Sequence, residues 1–274
     1  MKNIFNFILP LVFIVSCSME EPSDASNETV EDRLSKVYYT EFMPCTAGPD
    51  YTSENMTSMI AEWQKLLTNE NLQGVWGYAP AVATNSFPDN GWWEIQWGSR
   101  EEAQEAWSEW SQNKEAAAWN EKYASVLQCD ESLINGFESV FPIASAQYSE
   151  LPDSGYFYGE VHICELNDGS AQEEAISFLS GFTEAVANAD YSDTSYHLGN
   201  YFNVDESGGF LWANFTNSEE SMNKANNSFE ASVRETMFPI FSTFASCGEV
   251  PDLYHGFTLY NADDKDFMPT FPSN

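Results

Sequence analysis

An internal duplication constrains the fold of this 274-residue chain more than any other feature. Glu41-Phe-Met-Pro-Cys45 matches Glu160-Val-His-Ile-Cys164 at an offset of 119, and Gly91-Trp-Trp-Glu-Ile-Gln-Trp97 matches Gly209-Phe-Leu-Trp-Ala-Asn-Phe215 at 118. Further matches follow in the same order: Ser99–Glu102 with Asn217–Glu220, Cys129 with Cys247, and Gly136–Phe137 with Gly256–Phe257. These matches predict two equivalent units, residues 37–141 and 156–261, with a linker at 142–155 and an acidic tail at 262–274.

Within each unit the hydrophobic period alternates between that of a strand and that of a helix. A β-rich segment opens the first unit, and a helix follows behind a Thr52/Ser53 cap. The equivalent helix of the second unit is expected to start at a capping box formed by Ser170 and Glu173. Two strands, a second helix and a last strand complete each unit. Capping boxes at Ser99/Glu102 and Asn217/Glu220 are expected to start the second helices.

The order βαββαβ, found twice, is the ferredoxin-like plan of an α+β protein. Together with the Trp-rich third strand and the helix Glu101–Trp107, which reads Glu-Glu-Ala-x-x-Ala-Trp, it resembles the dimeric α+β barrel superfamily, which includes monooxygenase-like proteins. The resemblance implies two sheets packed face to face within one chain, a monomeric pseudo-dimer. Tandem ferredoxin-like domains with independent sheets are the alternative.

The amino terminus predicts a cellular location. Residues 1–16 have the cation, apolar run and small residue of a signal peptide, and Ile14-Val15-Ser16-Cys17 resembles the bacterial lipobox, which implies lipidation of Cys17. Residues 17–36 are polar and acidic, as expected of a flexible tether. Because Ser18 follows the cysteine, the resemblance implies the outer membrane. Two N-glycosylation sequons, at Asn55 and Asn214, are interpreted as chance occurrences beside a lipobox.

The charge balance excludes one class of partner. The chain has 10 Lys and Arg against 43 Asp and Glu, a formal charge of −33. Nucleic acids and polyanionic substrates need clustered cations, so neither is expected as a partner. The acids themselves are typical of a solvated, self-repelling surface.

Four cysteines remain after Cys17, and they allow three pairings. In the βαββαβ plan the end of the first strand and the end of the second helix lie at the same end of one unit. The prediction is therefore Cys45–Cys129 and Cys164–Cys247, formed in an oxidising compartment. A metal site is the weaker alternative, because no two of these cysteines are close in sequence and no histidine shares their spacing.

Strand alternation assigns side chains to two faces. We expect Phe42, Val161, Ile163 and alternate third-strand residues to face the helices. The opposite faces would then line one cavity, which is typical of a small-molecule site. The predicted ligand-binding residues are Tyr39, Trp92, Glu94, Tyr158, Phe210, Trp212 and Asn214.

Three polar residues on these faces are candidate catalytic groups. A carboxylate of Glu41 or Glu160 in an aromatic cavity would have a raised pKa suited to acid–base chemistry, and His162 could act as a base or as a metal or haem ligand. A hydrogen-bonded sheet face and a satisfied histidine are the alternatives. Some cofactor-free oxygenases of the superfamily, and its haem-degrading branch, use Trp, Asn and His. Trp212, Asn214 and His162 match them in residue type but not position by position.

No nucleotide-binding, hydrolase, zinc-protease or Cys-x-x-Cys motif is present, so no cofactor and no metal is expected. The functional hypothesis is an envelope lipoprotein that binds a small apolar or aromatic molecule in a barrel cavity, with nucleotide-independent oxygenase or isomerase chemistry as its enzymatic form. The alternative is a non-enzymatic interaction or structural module of the cell envelope. The sequence does not decide whether the protein is an enzyme.

Overall fold

Eight antiparallel strands close into a barrel in the computed structural model, which describes residues 28–206 and 208–272. The barrel strands are β1 (Tyr38–Ala47), β2 (Leu72–Pro80), β3 (Gly91–Trp97), β5 (Asn135–Ile143), β6 (Tyr156–Leu166), β7 (His197–Asn203), β8 (Gly209–Thr216) and β10 (Asp252–Asn261). Around the ring their order is β2, β3, β1, β5, β7, β8, β6, β10, and β10 pairs again with β2. Two short strands, β4 (Leu127–Cys129) and β9 (Ala245–Cys247), pair with β1 and β6 respectively.

Helices cover the outside of this sheet. They are α1 (Val30–Ser35), α2 (Ser53–Gln64), α3 (Arg100–Gln112), α4 (Lys114–Tyr123), α5 (Gln172–Ala187), α6 (Glu219–Ser228) and α7 (Arg234–Phe244). The α+β class and the closed antiparallel sheet are as predicted. Independent sheets are excluded, because β5 pairs with β7 and β10 pairs with β2 across the two halves.

Both predicted disulfides are present, joining Cys45 to Cys129 and Cys164 to Cys247. Each lies where a short strand pairs with the first strand of its half, so that the two cysteines are direct register partners. Among the described residues, no helix has the length and apolar character needed to span a bilayer.

Segments on both sides of the two predicted units pack on the barrel, including part of the predicted flexible tether. The predicted signal peptide and the predicted lipidation site Cys17 lie outside the described residues. The end of the predicted tether forms α1, where Arg33 is buried and donates from Nε to the Pro142 carbonyl oxygen at 2.8 Å. The acidic tail also packs on the barrel. Phe271 contacts Phe257 with ring centroids 5.2 Å apart, and the backbone N of Thr270 donates to the Ser154 carbonyl oxygen at 3.0 Å.

The helix starts agree with the offset of 119 found for the first strand, and not with the offset of 118 found for the third strand. The Thr52 and Ser99 caps are present as predicted, with Asn55 and Glu102 as their backbone donors. In the second half, however, α6 is capped by Ser218 rather than Asn217, and Ala171 rather than Ser170 precedes α5. Ser218 and Ser99 are 119 residues apart, the same separation as Cys164 and Cys45.

A one-residue slip reverses the faces of a strand. The register pairs Met43 with Trp93 in the first half and His162 with Trp212 in the second, so Trp93 corresponds to Trp212. The sequence match at offset 118 had aligned Trp93 with Leu211. The third strand of the second half is therefore inverted relative to the prediction: Leu211, Ala213 and Phe215 face the barrel interior.

Aromatic side chains fill much of the barrel interior. Phe137, Phe157, Tyr201 and Phe215 are buried there in one cluster. Gly256 allows the close packing, because a Cβ at that position would lie 2.0 Å from the Phe157 ring. The apolar interior explains why the faces were hard to assign: both faces of these strands are buried, so alternation does not say which face meets the helices.

Candidate functional site

A cavity of about 690 Å³ lies outside the barrel, between the first-half sheet and helices α2, α3 and α4. Six of the nine tryptophans of the chain line it: Trp63, Trp93, Trp97, Trp107, Trp110 and Trp119. We call this space the tryptophan cavity. Its volume falls within the range of about 300 to 1,000 Å³ that is usual for small-molecule sites.

A helix break at Asn113 helps to form the tryptophan cavity. Asn113 has an extended backbone and ends α3, and its side-chain oxygen accepts from the backbone N atoms of Glu115 and Ala116 at 2.9 and 3.3 Å, which starts α4. The chain therefore changes direction, and Trp110 and Trp119 on the two helices meet with ring centroids 6.0 Å apart.

The corresponding space of the second half contains closely packed rings instead. There a π-helical turn, Phe229–Val233, joins α6 to α7 without a break. Trp212 contacts Phe182 with a centroid distance of 4.9 Å and Phe241 at 5.9 Å. The two halves thus share a plan but differ in how the space under their helices is filled.

Glu41 accepts hydrogen bonds from two tryptophans that line the tryptophan cavity. Its Oε2 accepts from Nε1 of Trp107 at 2.7 Å and from Nε1 of Trp97 at 3.0 Å, and the carboxylate is buried. Burial raises the pKa of Glu41, and the two indole hydrogen bonds oppose that rise. The geometry makes Glu41 an anchor that fixes the orientation of two indoles.

Replacing this anchor should separate its hydrogen-bonding role from its charge. Glu41→Leu leaves two largely buried indole N–H groups without an acceptor, at a cost of about 1–3 kcal/mol for each unpaired group. Glu41→Gln keeps an acceptor oxygen in place. We expect urea unfolding at pH 7 to show Glu41→Leu as the less stable variant by about 2 kcal/mol or more. Equal stabilities would contradict the anchoring role.

Glu160 occupies the equivalent position in the second half, with different partners. Its Oε1 lies 3.1 Å from Nε2 of His162 and accepts from Nδ2 of Asn214 at 3.3 Å, while Asn226 donates to Oε2 at 2.8 Å. Burial opposes ionisation, but the hydrogen bonds from His162 and Asn226 prevail and lower the pKa of Glu160. The two equivalent carboxylates are therefore shifted in opposite directions.

A third carboxylate, Glu94, lies inside the barrel. It is fully buried and accepts hydrogen bonds from the hydroxyls of Tyr78 and, at 2.9 Å, Tyr201. Burial raises the pKa of Glu94 to about 7, although both hydrogen bonds act to lower it. A smaller space of about 210 Å³, lined by Trp92, Tyr254 and other residues at one end of the barrel, opens nearby; we call it the barrel-mouth cavity.

The structure separates the predicted site residues into three places. Glu41 and Tyr39 lie on the helix-covered face of the first half. On the helix-covered face of the second half lie Glu160, His162, Tyr158, Phe210, Trp212 and Asn214. Only Trp92 and Glu94 face the barrel interior, as predicted. The expectation that Glu41, Glu160 and His162 share one cavity is wrong, because their strand face meets the helices and not the barrel interior.

The sequence analysis missed the helical walls of the tryptophan cavity. It assigned none of Trp63, Trp107, Trp110 and Trp119 to a site. A signal was present: eight of the nine tryptophans precede residue 120, and only Trp212 lies in the second unit. Because the two halves otherwise correspond, this asymmetry distinguishes the first half from the second.

The lining of the tryptophan cavity limits its chemistry. Its charged side chains are Glu109, Asp130 and Glu131, and it contains no Lys, Arg or His. A developing anion would therefore find no cation there, and the indole N–H groups of Trp97 and Trp107 already donate to Glu41. Within the part of the chain that the structure describes, no cluster of His, Cys, Asp and Glu could hold a metal ion.

No family model matches the sequence, and no curated protein is similar to it. Among solved structures, an anthrone oxidase-like protein has a similar fold, with a TM-score of 0.51, 13% identity, and coverage of 85% of this chain and 96% of that chain. A candidate monooxygenase from Lactobacillus acidophilus NCFM has a TM-score of 0.48 and 6% identity over 81% of this chain and 94% of its own.

A chlorite dismutase from Candidatus Nitrospira defluvii has a TM-score of 0.46 and 14% identity, with coverage of 86% and 97%. These similar structures are dimeric α+β barrel proteins, monooxygenase-like and chlorite dismutase-like. At such low identities the likeness concerns the fold alone.

Proposed function

We propose that this protein binds a small organic molecule with a flat or apolar body in the tryptophan cavity. The observation that carries the proposal is a space of about 690 Å³ with six tryptophans in its wall. Indole rings offer large, rigid apolar faces at little entropic cost, and such faces are typical of small-molecule sites. The proposal moves the ligand from the barrel interior, where the sequence placed it, to the space under the helices.

The contrast between the halves supports binding over simple packing. If the tryptophans served only to fill a core, the first half would be expected to close as the second does, where Phe178, Phe182 and Phe241 pack around Trp212. The tryptophan cavity is open at its rim, so a small molecule can reach the indole wall from solvent. The second half, whose rings pack against one another, offers no comparable wall.

We also propose that the chain carries out this role as a tandem ferredoxin-like, lipid-anchored protein of the cell envelope, with Cys17 as the anchor. The amino terminus, which resembles a signal peptide, supports the location in the cell envelope. Two disulfides with loops of 84 and 83 residues support an oxidising compartment. The oxygenase or isomerase chemistry considered from the sequence is not part of the proposal, because the lining of the cavity supplies no assembled acid–base pair.

Native mass spectrometry of the protein purified from the envelope tests both parts. We expect a stoichiometric small molecule to be retained, with an absorption spectrum that identifies its class, and a mature mass that begins at a lipidated Cys17. Ala106 lines the tryptophan cavity, so Ala106→Phe should weaken retention by placing a ring inside the space. Ala117→Phe, at an exposed position of α4 outside the lining, is the matched control.

An empty wild-type protein would next be titrated with planar aromatic ketones and small organic cations, following its tryptophan fluorescence. The name of the anthrone oxidase-like structure is the reason to include an anthrone. If Ala106→Phe fails to fold, Thr46→Trp at the exposed rim blocks the same space without disturbing the core. Retention in these cavity variants equal to that of the wild type, or the absence of binding by any member of the panel, would overturn the proposal.

A further inference from the structure

The charge and burial of the side chains around the tryptophan cavity point to one class of ligand. Resting on the proposed function, we propose that the cavity selects an organic cation whose charge lies on a fully alkylated nitrogen, such as a trimethylammonium group. The proposal follows from three properties of the cavity: the sign of its charges, the depth at which they lie, and the nature of its deep wall.

The charged side chains of the lining all have the same sign. Glu109, Asp130 and Glu131 are carboxylates, and no cation is among the lining residues. Lys65 and Lys114 are nearby in sequence, but they are exposed and do not line the cavity. The whole chain, with a formal charge of −33, adds a long-range field of the same sign. The net charge of the lining and of the chain would therefore repel an anionic ligand and attract a cation.

The carboxylates lie at the rim and the rings lie below it. Glu109, Asp130 and Glu131 are exposed, while every buried residue of the lining is apolar: Met43, Met59, Trp63, Leu72, Trp93, Ile95, Trp97 and Ala106. A cation could therefore be steered by the rim and then lie against indole faces. Cations within about 6 Å of an indole centroid gain about 0.5–2 kcal/mol, and tryptophan is the best of the aromatic partners.

The deep wall also distinguishes between kinds of cation. A primary ammonium has three N–H donors and needs acceptors for them when it leaves water. The buried side chains of the lining offer no carboxylate, hydroxyl or amide oxygen. A trimethylammonium group has no N–H to satisfy and presents methyl groups to the rings. The wall thus favours an alkylated nitrogen over a free amine.

The test compares two molecules of the same shape. Choline and its neutral carbon isostere, 3,3-dimethyl-1-butanol, differ only in the charged centre. We expect isothermal titration of the full wild-type protein in 50 mM salt to give choline at least a tenfold lower Kd than the isostere, with ammonium ion failing to compete. Raising the salt to 500 mM should weaken choline binding and leave the isostere unchanged, because only a charged ligand is screened.

Matched variants separate the effect of the rim carboxylates on choline affinity from the effect of the net charge of the protein. Glu109→Gln with Glu131→Gln removes two rim charges, and Glu173→Gln with Glu235→Gln removes two exposed charges from the second half. Both double variants carry the same net charge. We expect choline affinity to fall at least threefold in the first and to stay within experimental error of the wild type in the second.

Each outcome bears on one proposal or on both. Equal affinities for choline and the isostere, or tighter binding of the isostere, would overturn the inference of a cationic ligand while leaving the proposed binding function in place. Equal losses in the two double variants would overturn the role of the rim and assign the selectivity to bulk charge. No binding of either molecule, by a protein that retains or binds a different compound, would overturn the cation inference alone.

Discussion

Removing the disulfide between Cys45 and Cys129 should destabilise the protein by about 4 kcal/mol, because the bond closes a loop of 84 residues and so restricts the unfolded chain. The Cys45→Ser/Cys129→Ser double variant, compared with the wild type by urea unfolding in the absence of reductant, measures this cost. A loss of that size is a large share of the stability of a typical domain, about 5–15 kcal/mol.

The second disulfide provides a matched control for function. The bond between Cys164 and Cys247 closes a loop of 83 residues, so its removal should cost nearly the same stability. Only Cys129 lines the tryptophan cavity. Ligand binding should therefore weaken in the Cys45→Ser/Cys129→Ser variant and persist in the Cys164→Ser/Cys247→Ser variant under conditions in which both stay folded. Equal effects of the two variants on binding would contradict the assignment of the site to the first half.

Replacing Glu94 should produce the second large effect, a change in how stability depends on pH. Burial holds the pKa of this carboxyl at about 7 in the folded protein, against an ordinary value of about 4.5. Between these two values the unfolded chain releases the proton while the folded protein retains it, so the free energy of unfolding falls as the pH rises. The shift corresponds to about 3 kcal/mol, lost between about pH 4.5 and pH 7 and not regained above.

Glu94→Gln removes the titration and keeps a hydrogen-bonding side chain between Tyr78 and Tyr201. We expect the stability of this variant, relative to the wild type, to improve by about 3 kcal/mol between pH 4.5 and pH 8. Because both proteins carry the same exposed acids, the general repulsion among those acids cancels in the difference. Urea unfolding at a series of pH values gives the measurement.

Glu160→Gln is the control, because the pKa of Glu160 is shifted in the direction opposite to that of Glu94. Hydrogen bonds from His162 and Asn226 lower the pKa of Glu160, so this carboxylate contributes stability above its unfolded pKa and loses it as the pH falls through the folded value. The Glu160→Gln variant should thus lose stability relative to the wild type as the pH rises toward the ordinary glutamate pKa of about 4.5, and the difference should stay constant above it. The same trend in both variants would contradict the account of these two environments.

The sequence was sufficient for the fold class and the disulfide pairing, and insufficient for the faces of the strands. The order of strand and helix patterns predicted the α+β class, and the cysteine positions within that order predicted both disulfides. These features depend on spacing along the chain, which a sequence displays directly. The closed barrel was implied by the resemblance to the dimeric α+β barrel superfamily. Faces depend on what packs above and below a strand, and in this barrel both sides are buried, so alternation left the choice open for Glu41 and Glu160.

The site was missed for a related reason. Trp107, Trp110 and Trp119 lie on helices, and their spacing there is typical of any buried helix face. Whether such side chains fill a core or line a cavity depends on the helix break at Asn113, which moves α4 relative to α3. The one-residue difference between the offsets of 118 and 119 caused a separate error. It inverted the predicted faces of the third strand of the second half, so that Leu211 was assigned to the wrong face.

Indole NMR tests the central claim most directly, because each tryptophan reports on its own location. The indole N–H signals of the ¹⁵N-labelled protein, assigned with Trp→Phe variants, would be followed during titration with the retained molecule, or with choline if none is retained. The account predicts shifts concentrated in the tryptophans of the tryptophan cavity, with little change at Trp76, Trp92 and Trp212. Shifts centred on Trp76 and Trp92, which face the barrel interior, would place the ligand in the barrel and contradict the account.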